Sequence, residues 1–197
     1  MERIAVIEKV LFNEIVNRPQ IDGKENMKIT HDEIAHAYTV SMLCRLLAKK
    51  RKLNEELCAI IGYLHDIGRI KFNVITKDHA TKGSLEARKM LINLGIFTTD
   101  EIEIIANAID KHDEKGNIDN EYDELIKDAD ALDRAFNKTN SPKRHEREKR
   151  MNHVLQELGI NQEKTSNNRF KPIKRPVTVS AASLRSWQKP RQSRFKA

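Results

Sequence analysis

The stretch Leu57 to Arg69, LCAIIGYLHDIGR, constrains this chain more than any other. Nine consecutive residues, Leu57 to His65, carry no formal charge, so a helix built from them has no wet face and must be mostly buried. That helix ends in an adjacent ionisable pair, His65-Asp66. Burying such a pair is costly unless something compensates, and a metal ion is the simplest compensation. Imidazole nitrogen and carboxylate oxygen suit borderline divalent ions such as Fe²⁺, Mn²⁺ or Zn²⁺. Two ligands do not make a site, so other segments must supply more.

The remaining segments are read from their periodicity. Apolar residues at 4, 7, 11, 12 and 15 predict an amphipathic helix over residues 2–17, stopped by Pro19 and Gly23. Thr30-His31-Asp32-Glu33 reads as a capping box that opens a second helix, running to about Lys50. Its inward stripe is His36, Val40, Leu43 and Leu47, which turns His36 toward the core. His31 falls about 140° away around the same axis. Asn54 is placed to cap the helix that delivers His65-Asp66, with Gly68 as a left-handed stop after it. Residues 69–77 read as a connection, and a fourth helix spans about 78–94, closed by Gly95. Thr99 is read as the cap of a fifth helix, in which Ile105, Ile109 and His112 share a face. A sixth helix, about 121–137, carries Leu125, Ala129, Leu132 and Phe136, with Asp130 beside that stripe. Residues 144–158 form a last, highly charged candidate ended by Gly159.

No stretch of the first 160 residues alternates in strand fashion, so the expected fold is all-α, a compact bundle of about six to seven helices. The domain is expected over 1–160. Residues 161–197 contain ten Lys/Arg against one acid, Glu163, and lose all periodicity, which predicts a loosely structured basic tail. Of 36 Lys/Arg and 29 Asp/Glu in the chain, 26 and 28 then belong to residues 1–160, a net of −2. The body gives no electrostatic reason to expect nucleic acid. Tail aromatics interleaved with cations (Arg169-Phe170-Lys171, Trp187, Arg194-Phe195-Lys196) have a composition able to bind single strands, though a merely solubilising extension is the simpler reading. Cys44 and Cys58 sit in apolar helical patterns and read as core thiols. With charges scattered through the first twenty residues and no apolar run of membrane-spanning length, a cytoplasmic protein is expected.

His36, His65-Asp66, His79, His112 and Asp130 are separated by 29, 13, 33 and 18 residues, counting Asp66 with His65, and arise from different helices or helix ends. That spread suits a site inside a bundle, where side chains from several helices converge. HAYTV (36–40), AIIGYLHDIGR (59–69), HATKG (79–83), AIDKH (108–112) and KDADALDR (127–134), in this order, resemble the HD-domain superfamily of metal-dependent phosphohydrolases. The resemblance implies an HD-domain fold with His36, His65, Asp66 and Asp130 as metal ligands. It places His79 and His112 where two-metal members hold a further pair, with Asp66 then bridging. Asp128 competes with Asp130 for the last ligand role; the Ala-Asp-x-Leu pattern favours Asp130.

One or two divalent ions (Fe, Mn, Co, Zn or Mg) are therefore expected. Such an ion lowers the pKa of water to about 7 and polarises a phosphoryl oxygen. Asp66 is a candidate ligand and local base; Arg69, Lys82, Lys111 and Arg134 are candidates by position for the other phosphate oxygens, with Arg69 and Lys82 favoured as catalytic. His31, His145 and His153 read as solvated surface. Among substrate classes, the chain lacks the GYP element of cyclic-di-GMP phosphodiesterases and the Glu-Asp pair of guanosine tetraphosphate hydrolases. His112-Asp113-Glu114-Lys115 stands where symmetrical diadenosine-tetraphosphate hydrolases carry His-Thr-Thr-Gly. The reading is a small stand-alone phosphohydrolase acting on a nucleotide or related small molecule. Its alternatives are a symmetrical dinucleoside-tetraphosphate hydrolase and an HD-fold regulatory or RNA-associated module working through the basic tail.

Overall fold

The computed structural model describes residues 2–17, 25–72, 78–136 and 144–160, with 25–31 and 144 described by backbone only. The expected tail and its aromatic-cation clusters, residues 161–197, lie outside the described residues. Within them the chain is entirely helical: α1 (Glu2–Asn17), α2 (Glu25–Arg51), α3 (Glu55–Leu64), α4 (Ile67–Phe72), α5 (His79–Leu94), α6 (Thr99–Lys111), α7 (Glu121–Phe136) and α8 (Arg144–Glu157). The all-α bundle is as expected; beside the helices read from the sequence, one further short helix, α4, occupies part of the stretch read as a connection.

α3 is the axis of the bundle. All eight residues from Leu57 to Leu64 are buried, and α1, α2, α6 and α7 pack around it. A helix with no polar face gains most when covered on every side, since each buried aliphatic side chain contributes about 1.5–3 kcal/mol. Asn54 caps it, its side chain accepting from the Glu56 and Leu57 amides at 3.0 and 3.1 Å. Cys44 and Cys58 are buried free thiols, and burial pushes the pKa of both up. No helix among the described residues is long and apolar enough to cross a membrane.

Four local expectations are corrected. α2 begins at Glu25, so Thr30 lies inside the helix rather than at its cap. The α6 cap is Thr98, one residue earlier than expected, in a reciprocal capping box with Glu101. Phe136 is 59 % exposed rather than part of the α7 stripe. Gly68 does not stop α3; it lies inside α4, and its φ is not positive. Gly95, by contrast, closes α5 in the left-handed conformation at φ 65° as expected. The joint between α3 and α4 therefore falls at His65-Asp66, and both helices hold that pair in place.

α7 is tied to α2 and α8 by a partly buried charge network around Asp128. Arg51 donates to Asp128 and Glu157, both at 2.7 Å, and Arg150 to Asp128 at 2.8 Å and Glu124 at 2.9 Å. The Arg51 hydrogen bond holds Glu157 below its ordinary 4.5. Burial alone would raise Glu124, but the Arg150 and Lys127 bonds outweigh it and lower its pKa too. A carboxylate with a depressed folded-state pKa stabilises the fold above its unfolded value and loses that contribution as pH falls through the folded one. Acidification from about pH 6 to about pH 3 is therefore expected to remove on the order of 1–3 kcal/mol through this network. Urea midpoints across that range check it, and Arg51→Met should flatten the profile.

Candidate metal centre

The site forms where α2, α3, α5, α6 and α7 meet beneath the α3–α4 joint. His36 comes from α2, His65-Asp66 from the joint, His79 from the first position of α5, His112 from the C-cap of α6 and Asp130 from α7. His65, His79, His112 and Asp130 are all at most 2 % exposed. The four imidazoles stand in a row, 36–65–112–79, with successive ring centroids 4.9, 5.2 and 5.1 Å apart.

Asp66 divides that row into two pairs. Its Oδ2 lies 3.6 Å from Nε2 of both His36 and His65, and its Oδ1 lies 3.7 and 3.4 Å from Nε2 of His79 and His112. Each set, His36-His65-Asp66 and Asp66-His79-His112, brings its donor atoms within 4.8 Å of one another. Asp130 Oδ1 adds to the first set, 3.3 Å from His36 Nε2 and 3.9 Å from His65 Nε2. Asp128 is elsewhere, held by Arg51 and Arg150.

The ring nitrogens are set by what lies behind them. His65 Nδ1 donates to Gly62 O at 2.8 Å and His112 Nδ1 to Ile109 O at 2.6 Å. A carbonyl can only accept, so these rings carry their proton on Nδ1 and turn the Nε2 lone pair into the site. His36 Nδ1 donates to Asp133 Oδ2 at 2.6 Å, which leaves its Nε2 facing His65 Nε2 at 3.0 Å. Two lone pairs at that distance would repel, and either a proton on His36 or a metal ion between the nitrogens relieves this. Burial pushes His65 down to about 3, keeping it a neutral donor. At His36 burial also disfavours charge, but the hydrogen bonds to Asp130 and Asp133 outweigh it and raise its pKa to about 9, so this corner attracts positive charge.

The carboxylates point the same way. Burial would raise both, yet Asp66 is held well below the usual range by His65, His112 and Arg69, and Asp130 by Lys115, Arg134 and His36. Asp66 Oδ1 is buried with no hydrogen-bond partner among the described residues. Imidazole Nε2 atoms turned inward, ionised carboxylates and an Asp66 oxygen that accepts no hydrogen bond fit a divalent ion.

Of the expected cations, Arg69 and Arg134 reach this cluster. Arg69 Nε is 3.1 Å from Asp66 Oδ1 and its Nη2 3.3 Å from His79 Nε2, while Arg134 donates to Asp130 at 2.7 Å and Asp66 at 3.0 Å. Lys82 does not join them. It is partly exposed and pairs with Asp78 at 3.7 Å, and Lys111 pairs with Glu114 at 3.5 Å. His145 and His153 are exposed as expected, and the side chain of His31 lies outside the described residues.

A scan against family models matches the HD domain over residues 34–135, just over half the chain. The chain belongs to the HD-domain family. That places it in general among metal-dependent hydrolases, and the donor groups above are what such a domain needs. Among solved structures it is similar to a predicted HD superfamily hydrolase from an uncultured Thermotogales bacterium: 23 % identity, TM-score 0.52, covering 81 % of this chain and 89 % of that one. This likeness is one of fold. No curated protein matched by sequence.

Two supporting residues escape a sequence reading. Lys115, fully buried, donates to His112 O at 2.6 Å and pairs with Asp130 Oδ2 at 2.7 Å, so only Oδ1 of that carboxylate faces the histidines. Asp133 orients His36. Its signal was the three-residue step from Asp130, which puts both on one face of α7. Asp133→Ala is expected to weaken divalent-ion affinity roughly 10–100-fold by releasing the His36 ring, as loss of a ligand's supporting partner does. Titration with Mn²⁺ checks it; an unchanged affinity would show that the ring is set elsewhere.

Proposed function

We propose that this HD-domain protein is a metal-dependent phosphohydrolase that cleaves a phosphate ester or anhydride of a nucleotide or related small molecule. A divalent ion would be held by His36, His65, Asp66 and Asp130, and the Asp66-His79-His112 set offers a second position. The observation that carries this reading is the placement of Asp66, whose two oxygens address separate imidazole pairs while Arg69 and Arg134 stand against it. When bound, the ion supplies Lewis acidity toward a phosphoryl oxygen and acidifies water near neutral pH.

The chain's own groups set the rest of the chemistry. Arg134 ties the α3–α4 joint to α7 by donating to Asp66 and Asp130, which fixes the spacing of the two carboxylates. Arg69 adds positive charge on the opposite side of Asp66, where a phosphoryl oxygen can be met by its planar donors. Asp66, held well below the usual carboxylate range, is a weak base, which favours ligation over proton transfer for it. Lys82, half-exposed beside Asp78, has no part in this arrangement.

The test is a phosphate-release screen over mono-, di- and triphosphate nucleotides and dinucleoside polyphosphates, with Mn²⁺, Fe²⁺, Co²⁺ and Mg²⁺ each supplied. Release above a chelator-treated control is expected for at least one pairing, and a symmetrical dinucleoside-tetraphosphate activity would appear in the same panel. No hydrolysis by ion-loaded protein, together with RNA binding that falls steeply with salt, would overturn the reading in favour of a binding module.

A further inference from the structure

α8 lies beyond the segment that matches the HD domain, residues 34–135, yet it carries a buried arginine on the face that packs toward α7. Arg147 is 9 % exposed, and its Nε is buried with no hydrogen-bond partner among the described residues. No carboxylate of the described residues stands within ion-pair distance of its guanidinium, whereas Arg51, Arg134 and Arg150 each hold at least two. Three residues on along the same face of α8, Arg150 donates to Lys115 O at 2.8 Å, and Lys115 pairs with Asp130 at 2.7 Å, which sets this face of α8 against the Asp130 side of the donor cluster. Asp130 and Asp113 favour the Arg147 charge, and Arg134 and Arg69 oppose it.

A buried cation without a partner is costly, and native interiors retain one only where something else offsets the cost. Arg134 is occupied by Asp66 and Asp130, and Arg69 by Asp66 and His79. Arg69 Nε also makes no hydrogen bond, but it stands 3.1 Å from Asp66; of the three, Arg147 is the one with no carboxylate of the described residues beside its planar set of donors, which match tetrahedral oxyanions. We infer that Arg147 is a substrate-binding residue, contributed by α8 from outside the matched domain, that grips a phosphoryl group of the substrate beside Arg69 and Arg134. The inference rests on the phosphohydrolase reading for the identity of the anion, and on the unpaired buried guanidinium for its existence.

The prediction separates this role from a structural one. Arg147→Met should melt no lower than the unsubstituted protein in phosphate-free buffer, because an unpaired buried charge has been removed. Its affinity for orthophosphate, measured calorimetrically on Mn²⁺-loaded protein, should fall roughly tenfold to a hundredfold, while Mn²⁺ affinity itself stays unchanged. Arg147→Lys, which keeps charge but loses the planar fork, should fall between. A melting temperature lowered by several degrees, failure to fold, or orthophosphate affinity equal to that of the unsubstituted protein would each overturn the inference. Arg147-dependent orthophosphate binding by a protein that hydrolyses nothing in the nucleotide panel would sink the hydrolase reading and leave the anion site standing. Hydrolysis with an unchanged KM in Arg147→Met would do the reverse.

Discussion

Asp66→Asn is expected to abolish ion-dependent phosphate release, on the order of a thousandfold or more, while the protein keeps its helical content. The substitution preserves volume and removes the one charge that both imidazole pairs share, with His36 and His65 3.6 Å from one oxygen and His112 3.4 Å from the other. The bound-ion count, read by elemental analysis after anaerobic purification, should fall with the activity. Asp128→Asn is the informative partner. Asp128 belongs to the same DAD triplet as Asp130 but faces Arg51 and Arg150 at 2.7 and 2.8 Å, away from the histidines. It should cost stability, because two arginines lose a buried partner, and leave ion binding within about threefold. Activity retained in Asp66→Asn, or ions lost in Asp128→Asn with Asp130 intact, would mean that the donors are misassigned.

The contrast between those two aspartates shows what was legible beforehand. Periodicity placed His36 on a buried stripe and put Asp130 beside another, because a 3.6-residue repeat reports directly which face is covered. α4 escaped because six residues are too few for a period to register, and Gly68 was read as a stop because its packing role depends on α5, eleven residues away at His79. Thr30-x-x-Glu33 has the composition of a cap but lies within α2, since the helix begins one turn or more earlier. Arg147 was hidden by its setting. The run RHEREKR looks like a solvated face, although Arg147, Met151, Val154, Leu155 and Leu158 follow a helical stripe, and Val154 and Leu155 are buried in the core. Charge density masked a periodic signal, and only the packed position of α8 recovers it.

The second large effect concerns the joint between α4 and α5. Gly68→Ala is expected to destabilise the fold by about 3 kcal/mol or more, lowering the melting temperature by roughly 6–12 °C. A Cβ built on Gly68 runs into the carbonyl oxygen of His79 and lies 2.7 Å from the Gly83 nitrogen, both of them backbone atoms that no rotamer change can move. The two helices must therefore part. α5 carries His79 at its first position, and Asp66 and Arg69 flank the α4 start, so separation stretches the 3.7 Å approach of Asp66 Oδ1 to His79 and leaves His36 and His65 untouched. Ion binding should weaken first at the Asp66-His79-His112 set, lowering the number of ions bound per chain before the remaining set is lost. Comparison of elemental content with thermal melts on one preparation decides the matter. A variant that melts within about 2 °C of the parent would show that α4 and α5 tolerate a wider spacing than their contact implies, and that close packing here is not what positions His79.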